Sequence, residues 1–126
     1  MNIVFNNREP VYIQVIRSFK EQIASGQLKA GQEIPSRREL GTALKINPNT
    51  AQRAYKEMED ALLIHTERNK PSRITYDQDV LHSIRTELIH DSVDAFLHSI
   101  NSIQVPLEEV IELLQKRYKE SDADHD

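Results

Sequence analysis

The stretch Pro35-Ser36-Arg37-Arg38-Glu39-Leu40-Gly41-Thr42-Ala43-Leu44-Lys45-Ile46-Asn47-Pro48-Asn49-Thr50-Ala51-Gln52-Arg53-Ala54-Tyr55 decides how this chain folds. Ser36 and Glu39 have the spacing of a capping box, in which the hydroxyl takes the amide three residues on and the carboxylate reaches back to the cap amide. A helix is therefore expected to start at Ser36. Its apolar positions, Leu40, Ala43 and Leu44, last barely two turns, and Gly41 within it is expected to weaken it by up to ~1 kcal/mol. Asn47 then supplies a second N-cap, and Pro48 suits the first helical position, where a missing amide costs nothing and the fixed φ is already helical. From there Ala51, Ala54, Tyr55, Met58 and Leu62 form one apolar stripe, leaving Asn49, Gln52, Arg53 and Lys56 to face outward. Two helices joined by a short turn, the second exposing polar and basic groups from its first turn, follow the helix-turn-helix plan.

Upstream, Tyr12, Val15, Ile16, Phe19 and Ile23 recur at helical spacing between Pro10 and a stop at Gly26, which predicts a first helix over about Pro10 to Ser25. The turn-rich Leu28-Lys29-Ala30-Gly31 leads from it to Ile34 and Pro35. Downstream of Leu62 the period changes. Residues 63–68 and 73–76 are short runs of β-formers on either side of Asn69-Lys70-Pro71-Ser72, a turn composition. Such a hairpin after a helix-turn-helix makes a winged helix, with Arg68, Lys70 and Arg73 at or near the wing tip.

The remaining chain reads as two amphipathic helices. Val80, Leu81, Ile84, Leu88, Ala95, Phe96, Ile100 and Ile103 sustain the first, Ile89, Val93 and Leu97 add a second stripe to it, and Leu107, Val110, Ile111, Leu114 and Tyr118 mark another after Pro106. Two helices cannot bury that apolar load between themselves, so a second copy of the chain is expected to cover it. The residues assigned to this dimer interface are Leu81, Ile84, Leu88, Ala95, Phe96, Ile100, Ile103, Leu107, Val110, Ile111 and Leu114. The expected fold is mainly α: a winged-helix domain of three helices plus a β-hairpin over residues 1–77, and a two-helix dimerisation domain over 78–126 whose acidic end, from Glu120, frays.

Charge divides along the same line. The 126 residues carry a net charge of -4, without cysteine. Residues 1–76 hold 12 Lys and Arg against 8 Asp and Glu, whereas residues 77–126 hold 4 against 12, so a +4 segment precedes a -8 segment. Opposite signs in two segments commonly mark one surface built for a polyanion and another built for something else. The longest apolar run, Ala61 to Ile64, excludes a membrane span and a signal sequence, and a cytoplasmic location is expected. Disulfide and thiolate chemistry are excluded by composition.

Within residues 35–56, Arg37, Arg38, Lys45, Arg53 and Lys56 stand against Glu39 alone. DNA carries about one negative charge per 1.7 Å of axis, so such a cluster beside side chains able to reach base edges suits it. Asn49 and Thr50 sit at the second helix's first turn, where free amides would favour a phosphate oxygen. Gln52 is suited to adenine, and Arg53 to guanine or phosphate. The plainer alternative is that these cations form solvated helix faces and that Thr50 packs inward.

In order and spacing, Pro10-Val11-Tyr12-x-Gln14, the run from Ile23 to Gly31, Pro35-Ser36-x-Arg38-Glu39-Leu40 and the run from Asn47 to Tyr55 resemble the DNA-binding domain of GntR-family bacterial transcriptional regulators over about residues 10–76. The short tail and the string Asn47-Pro48-Asn49-Thr50-x-Gln52-Arg53-Ala54-Tyr55 resemble the YtrA-type subfamily. The resemblance implies a sequence-specific regulator, a repressor that binds a pseudo-palindromic double-stranded operator as a homodimer, and an association with transporter operons. It assigns DNA contact to Arg38, with Arg37 adjoining. Asn49, Thr50, Gln52 and Arg53 complete the helix contacts, and Lys70 and Arg73 are the wing candidates. The wing departs from the family's glycine-rich turn, although Asn69 tolerates the left-handed backbone a tight turn needs. The alternative function is a winged helix used for protein contact without specific DNA binding.

No enzyme activity is expected. Glu108, Glu109 and Glu112 lie where a helix dipole stabilises carboxylates, and no nucleophile or phosphate loop accompanies them. His82, His90 and His98 recur every eight residues, a drift of about 80° per step, so they share no ligand face and no metal is expected. No cofactor is implied. A small-molecule effector would find a pocket only between the domains or at the dimer interface.

Overall fold

The computed structural model describes residues 2–124. Five helices and one hairpin follow in order: α1 (Val11–Ala24), α2 (Arg37–Leu44), α3 (Pro48–Asp60), β1 (Ile64–His65), β2 (Arg73–Ile74), α4 (Gln78–Ile100) and α5 (Leu107–Asp124), with a 3-10 turn at Asn101–Ile103. This is a mainly helical winged helix-turn-helix followed by C-terminal helices. The chain forms two compact units, Met1–Ile89 and His90–Asp126, and their division falls inside α4.

The local signals act as their chemistry requires. The Ser36 hydroxyl accepts the Glu39 amide at 3.1 Å and the Glu39 carboxylate accepts the Ser36 amide at 3.3 Å, which closes the capping box. Asn47 caps α3 through its side chain and Pro48 occupies the first helical position. Between them the chain reverses at Lys45, which takes a left-handed φ of 56° while the Ile46 amide donates to the Gly41 carbonyl at 3.1 Å. Gly41 is buried against α3, and a methyl there would meet the Ala51 Cβ at an ordinary 3.6 Å, so helix packing does not demand glycine.

The core of the first unit joins Val15, Phe19 and Ile23 of α1, Leu40 of α2, Ala54, Tyr55 and Met58 of α3, and Ile34, Leu63, Ile64 and Ile74 of the sheet region. Phe19 and Tyr55 meet edge to face with centroids 6.1 Å apart. Gln14 is buried as well, yet satisfied: its amide group bonds the backbone of Asn6 and Glu9 and ties down the segment before α1.

Three differences from the sequence expectations have physical causes. Leu62, assigned to the buried stripe of α3, is 66% exposed, because α3 ends at Asp60 and Leu62 adopts a left-handed φ of 63° while its neighbour Leu63 enters the core. The amides of Leu62 and Leu63 donate back to Glu59 and Met58 at 3.0 and 2.9 Å, a helix-terminating loop that glycine accommodates best. Leu62→Gly is accordingly expected to raise stability by about 1 kcal/mol, read as an increase in the midpoint of thermal unfolding. Second, the hairpin ladder is only two pairs long, Ile64 with Ile74 and His65 with Arg73. On its other side β2 pairs with the stretch before α2: Ile34 donates to Ser72 at 3.0 Å, Ile74 donates to Gln32 at 2.9 Å, and Glu33 bridges Arg73. A turn-rich lead-in thus serves as a third edge.

Third, the first turns of α4 belong to the first unit. Ile84, assigned from its spacing to an interface between copies, is 1% exposed and sits in the core already described, with Val80, Leu81 and Leu88 half-buried against it. Lys20 of α1 donates to Glu87 at 2.9 Å on the same side. The burial of Ile84 is thus complete within one chain.

In the second unit, none of the side chains described from His90 to Asp122 is buried. Val93, Phe96 and Leu97 on α4, Ile103, and Leu107, Ile111, Leu113, Leu114 and Tyr118 on α5 are all exposed, while Ile100, Val105 and Val110 are half-buried. Helix α5 continues through Asp124, past the point where the acidic tail was expected to fray. The part of that expectation that falls on His125 and Asp126 lies outside the described residues.

Candidate nucleic-acid interface

Helices α2 and α3 meet at the left-handed turn and enclose an open cleft of about 390 Å³, lined by Arg37, Arg38, Gly41, Thr42, Ile46, Pro48 and Gln52. The fold therefore brings Arg38 and Gln52 to one place. Arg38, Asn49 and Gln52 are exposed, and their side chains have no partner among the described residues. Such groups lose no internal bond on meeting a ligand. Lys45, at the turn, is exposed and unpaired in the same way.

Arg37 behaves differently. It is ion-paired with Glu59 of α3, and its guanidinium lies 5.9 Å from the Tyr55 ring centroid. Glu59 also accepts the Thr66 hydroxyl at 3.0 Å, and Thr66 shares a 2.7 Å hydrogen bond with Ser72. Tyr55, whose hydroxyl donates to the Pro35 carbonyl, is pushed well above the usual phenol range by burial, then by the charge of Glu39, with Arg37 opposing. Arg37 thus clamps the start of α2 to the end of α3 and to the wing, and its charge is answered internally.

The first turn of α3 has no spare amides, contrary to expectation. Pro48 has none, Asn49 donates to the Asn47 side chain at 2.8 Å, and Thr50 and Ala51 donate to the Asn47 carbonyl at 2.9 and 3.2 Å. Phosphate capture there falls to side chains. Thr50 is half-buried, as the packing alternative had it. Arg53 lies on the exposed face one turn after Asn49, and its guanidinium carbon sits over the Tyr12 ring of α1, 3.8 Å from the centroid.

On the wing, Glu67 and Lys70 close a turn in which the Lys70 amide donates to the Glu67 carbonyl at 3.1 Å and Asn69 holds a left-handed φ of 63°. The Lys70 ammonium is 2.8 Å from the Glu67 carboxylate, and His65 is 3.3 Å from it. These two hydrogen bonds, Lys70 first, hold the Glu67 carboxyl below its ordinary range. Arg73 lies back in β2, donating to the Gly31 carbonyl at 3.0 Å and to Glu33 at 2.8 Å. The two cations assigned to the wing are therefore both paired. Arg68, exposed and without a partner among the described residues, is the free one. Its availability was legible only in part: Glu67 and Lys70 stand three apart, whereas Glu33 and Arg73 are 40 residues apart.

Two short capped helices, a hairpin wing and a rim of unpaired polar and cationic side chains define a winged helix-turn-helix of the DNA-binding class. The chain belongs to the GntR family of bacterial regulatory proteins, whose model matches residues 11–74, just over half of it, and the likeness to the YtrA type holds. It is similar to the uncharacterised HTH-type transcriptional regulator YhcF of Bacillus subtilis (strain 168), 27% identical over 112 residues that cover 89% of this chain and 93% of that protein. It is also similar to the HTH-type transcriptional repressor YtrA of the same organism, 42% identical over 66 residues, 52% of this chain and 51% of that one. Among solved structures, a GntR family transcriptional regulator from Listeria monocytogenes superposes with a TM-score of 0.83 at 28% identity, over 89% of this chain and 98% of that one. The chain is thus a transcriptional regulator with a GntR DNA-binding domain, and these relatives are regulators, not enzymes. Among the described residues no helix is long and apolar enough to cross a membrane.

Proposed function

We propose that the protein is a repressor that binds a pseudo-palindromic double-stranded operator as a homodimer, with Arg38, Asn49, Gln52 and Arg53 carrying the principal contacts and Arg68 the wing contact. The observation that carries this is the meeting of unpaired Arg38 and Gln52 in the cleft at the α2–α3 corner, with exposed Asn49 on the adjoining first turn of α3, so that one guanidinium and two carboxamides can divide phosphate and base edges between them. Thr50, Lys70 and Arg73 play supporting parts, since each has a packing or pairing role within the chain. Residues 1–77 do the DNA binding and residues 78–126 the pairing of copies, with Ile84 also closing the core of the first. The unburied apolar rows of α4 and α5 favour a second copy as their cover. Repression is supported by the likeness to YtrA, and the regulated genes on this proposal include a transporter operon.

Selection of bound duplexes from a random pool tests this directly. The expected product is an inverted repeat whose half-sites lie about one helical turn, or a multiple of it, apart. Recovery of random sequence, with affinity no higher than for bulk DNA at moderate salt, would sink it in favour of a protein-contact module. On the selected duplex, Arg38→Ala is expected to cost about 1–3 kcal/mol of binding free energy in an equilibrium titration. Arg37→Ala should show its loss first in thermal unfolding, because its partner is Glu59.

A further inference from the structure

Tyr12 reads in the sequence as one more apolar position of α1, yet it is only half-buried and carries the guanidinium of a recognition-helix arginine. Arg53 is held on three sides. Its guanidinium carbon sits over the Tyr12 ring, 3.8 Å from the centroid, one Nη2 hydrogen goes to the Tyr12 hydroxyl at 3.0 Å, and Nε–H points to Glu57 at 3.5 Å. The side chain is nevertheless 60% exposed. Of its five N–H donors, three remain for a ligand. Arg38 and Gln52, by contrast, have no side-chain hydrogen-bond, ion-pair or ring partner among the described residues.

A cation over an aromatic ring with two of its five N–H groups occupied keeps the remaining donors of the guanidinium open. Arg53 has therefore lost much of its rotamer freedom before any duplex arrives, which is the condition under which a long side chain gains most from a directional contact. A phosphate gains less from such fixing, because the fork can meet several equivalent pairs of its oxygens from many directions. Guanine does, since its O6 and N7 must be met together, in plane.

Resting on the DNA-binding function proposed above, we propose that Tyr12 is a positioning residue that presets Arg53 to read a guanine in each operator half-site. Tyr12 acts through Arg53, and its signature is lost selectivity at one base pair.

The test uses the full chain and the duplex that the wild-type protein selects from a random pool, with titrations on that duplex and on a random one. Tyr12→Leu is expected to weaken binding to the selected duplex about tenfold, to leave the random duplex nearly unchanged, and to erase the same guanine preference that Arg53→Ala erases. Tyr12→Phe keeps the ring and removes only the hydroxyl, so it should fold normally and lose about threefold. In an Arg53→Ala background, Tyr12→Phe should change nothing further.

Equal losses on both duplexes, with a shallower salt dependence, would make Arg53 a phosphate contact and overturn the proposal. Tighter binding by either Tyr12 variant would overturn it in the other direction, making the stack a latch that withholds Arg53. An unchanged base preference in Tyr12→Phe and Tyr12→Leu, both folded, would also overturn it while leaving the DNA-binding function standing. Failure of the wild-type chain to select any sequence would remove that function and this inference with it.

Discussion

Ile84→Ala is expected to destabilise the N-terminal unit by about 2–5 kcal/mol, the range for deleting most of a buried aliphatic side chain that leaves a cavity. The size follows from its position. Ile84 is 1% exposed and sits in the cluster formed by Val15, Phe19, Ile23, Leu40, Tyr55 and Ile74, among the most deeply buried side chains of the molecule. The Lys20–Glu87 ion pair lies one turn away at the surface, between α4 and α1. Denaturant unfolding is the measurement, and Ile84→Val should give a smaller loss of about 0.5–1.5 kcal/mol at the same site. If Ile84→Ala left the unfolding midpoint unchanged and instead separated the copies of a dimer, Ile84 would belong to the interface that its spacing in the sequence suggests.

The case of Ile84 shows what kind of information periodicity carries. The spacing of Val80, Leu81, Ile84 and Leu88 identifies a face that needs covering, and the same pattern is satisfied by a neighbour within the chain or by a second copy. Local signals were far more legible. The Ser36–Glu39 box, the Asn47 cap and Pro48 each act within four residues, so their chemistry is complete in the sequence that shows it. Arg37 with Glu59, Arg73 with Glu33 and Arg53 with Tyr12 join residues 22, 40 and 41 apart, and no local pattern announces them. These pairings decide which cations are free. Arg38 is singled out by the match to the family's arginine at the start of the capped helix; Arg68 can be found only after Lys70 and Arg73 are seen to be occupied. Leu62 and Leu63 exchanged roles for a related reason, since adjacent leucines at a helix end leave the terminating residue undetermined until the left-handed turn is placed.

Phe96→Glu combined with Leu114→Glu is expected to turn the proposed dimer into a monomer and to weaken operator binding by about 10²–10⁴, the gain that a second linked site confers. Phe96 is 39% exposed and Leu114 46%, so neither substitution removes a core contact within one chain. Burying two added carboxylates between copies is another matter, because an unpaired charge cannot be taken out of water cheaply and residues 77–126 already carry three times as many acids as Lys and Arg. The two effects are separable by measurement. Sedimentation should report half the mass, thermal unfolding should retain the transition of the first unit, and titration against a single half-site should match wild type at one site per chain. The loss then lies wholly in the coupling between two recognition helices, each of which still reads its own half. A double variant that remained dimeric would place the contact between copies elsewhere, and one that became monomeric with undiminished operator affinity would show that a single winged helix suffices for recognition.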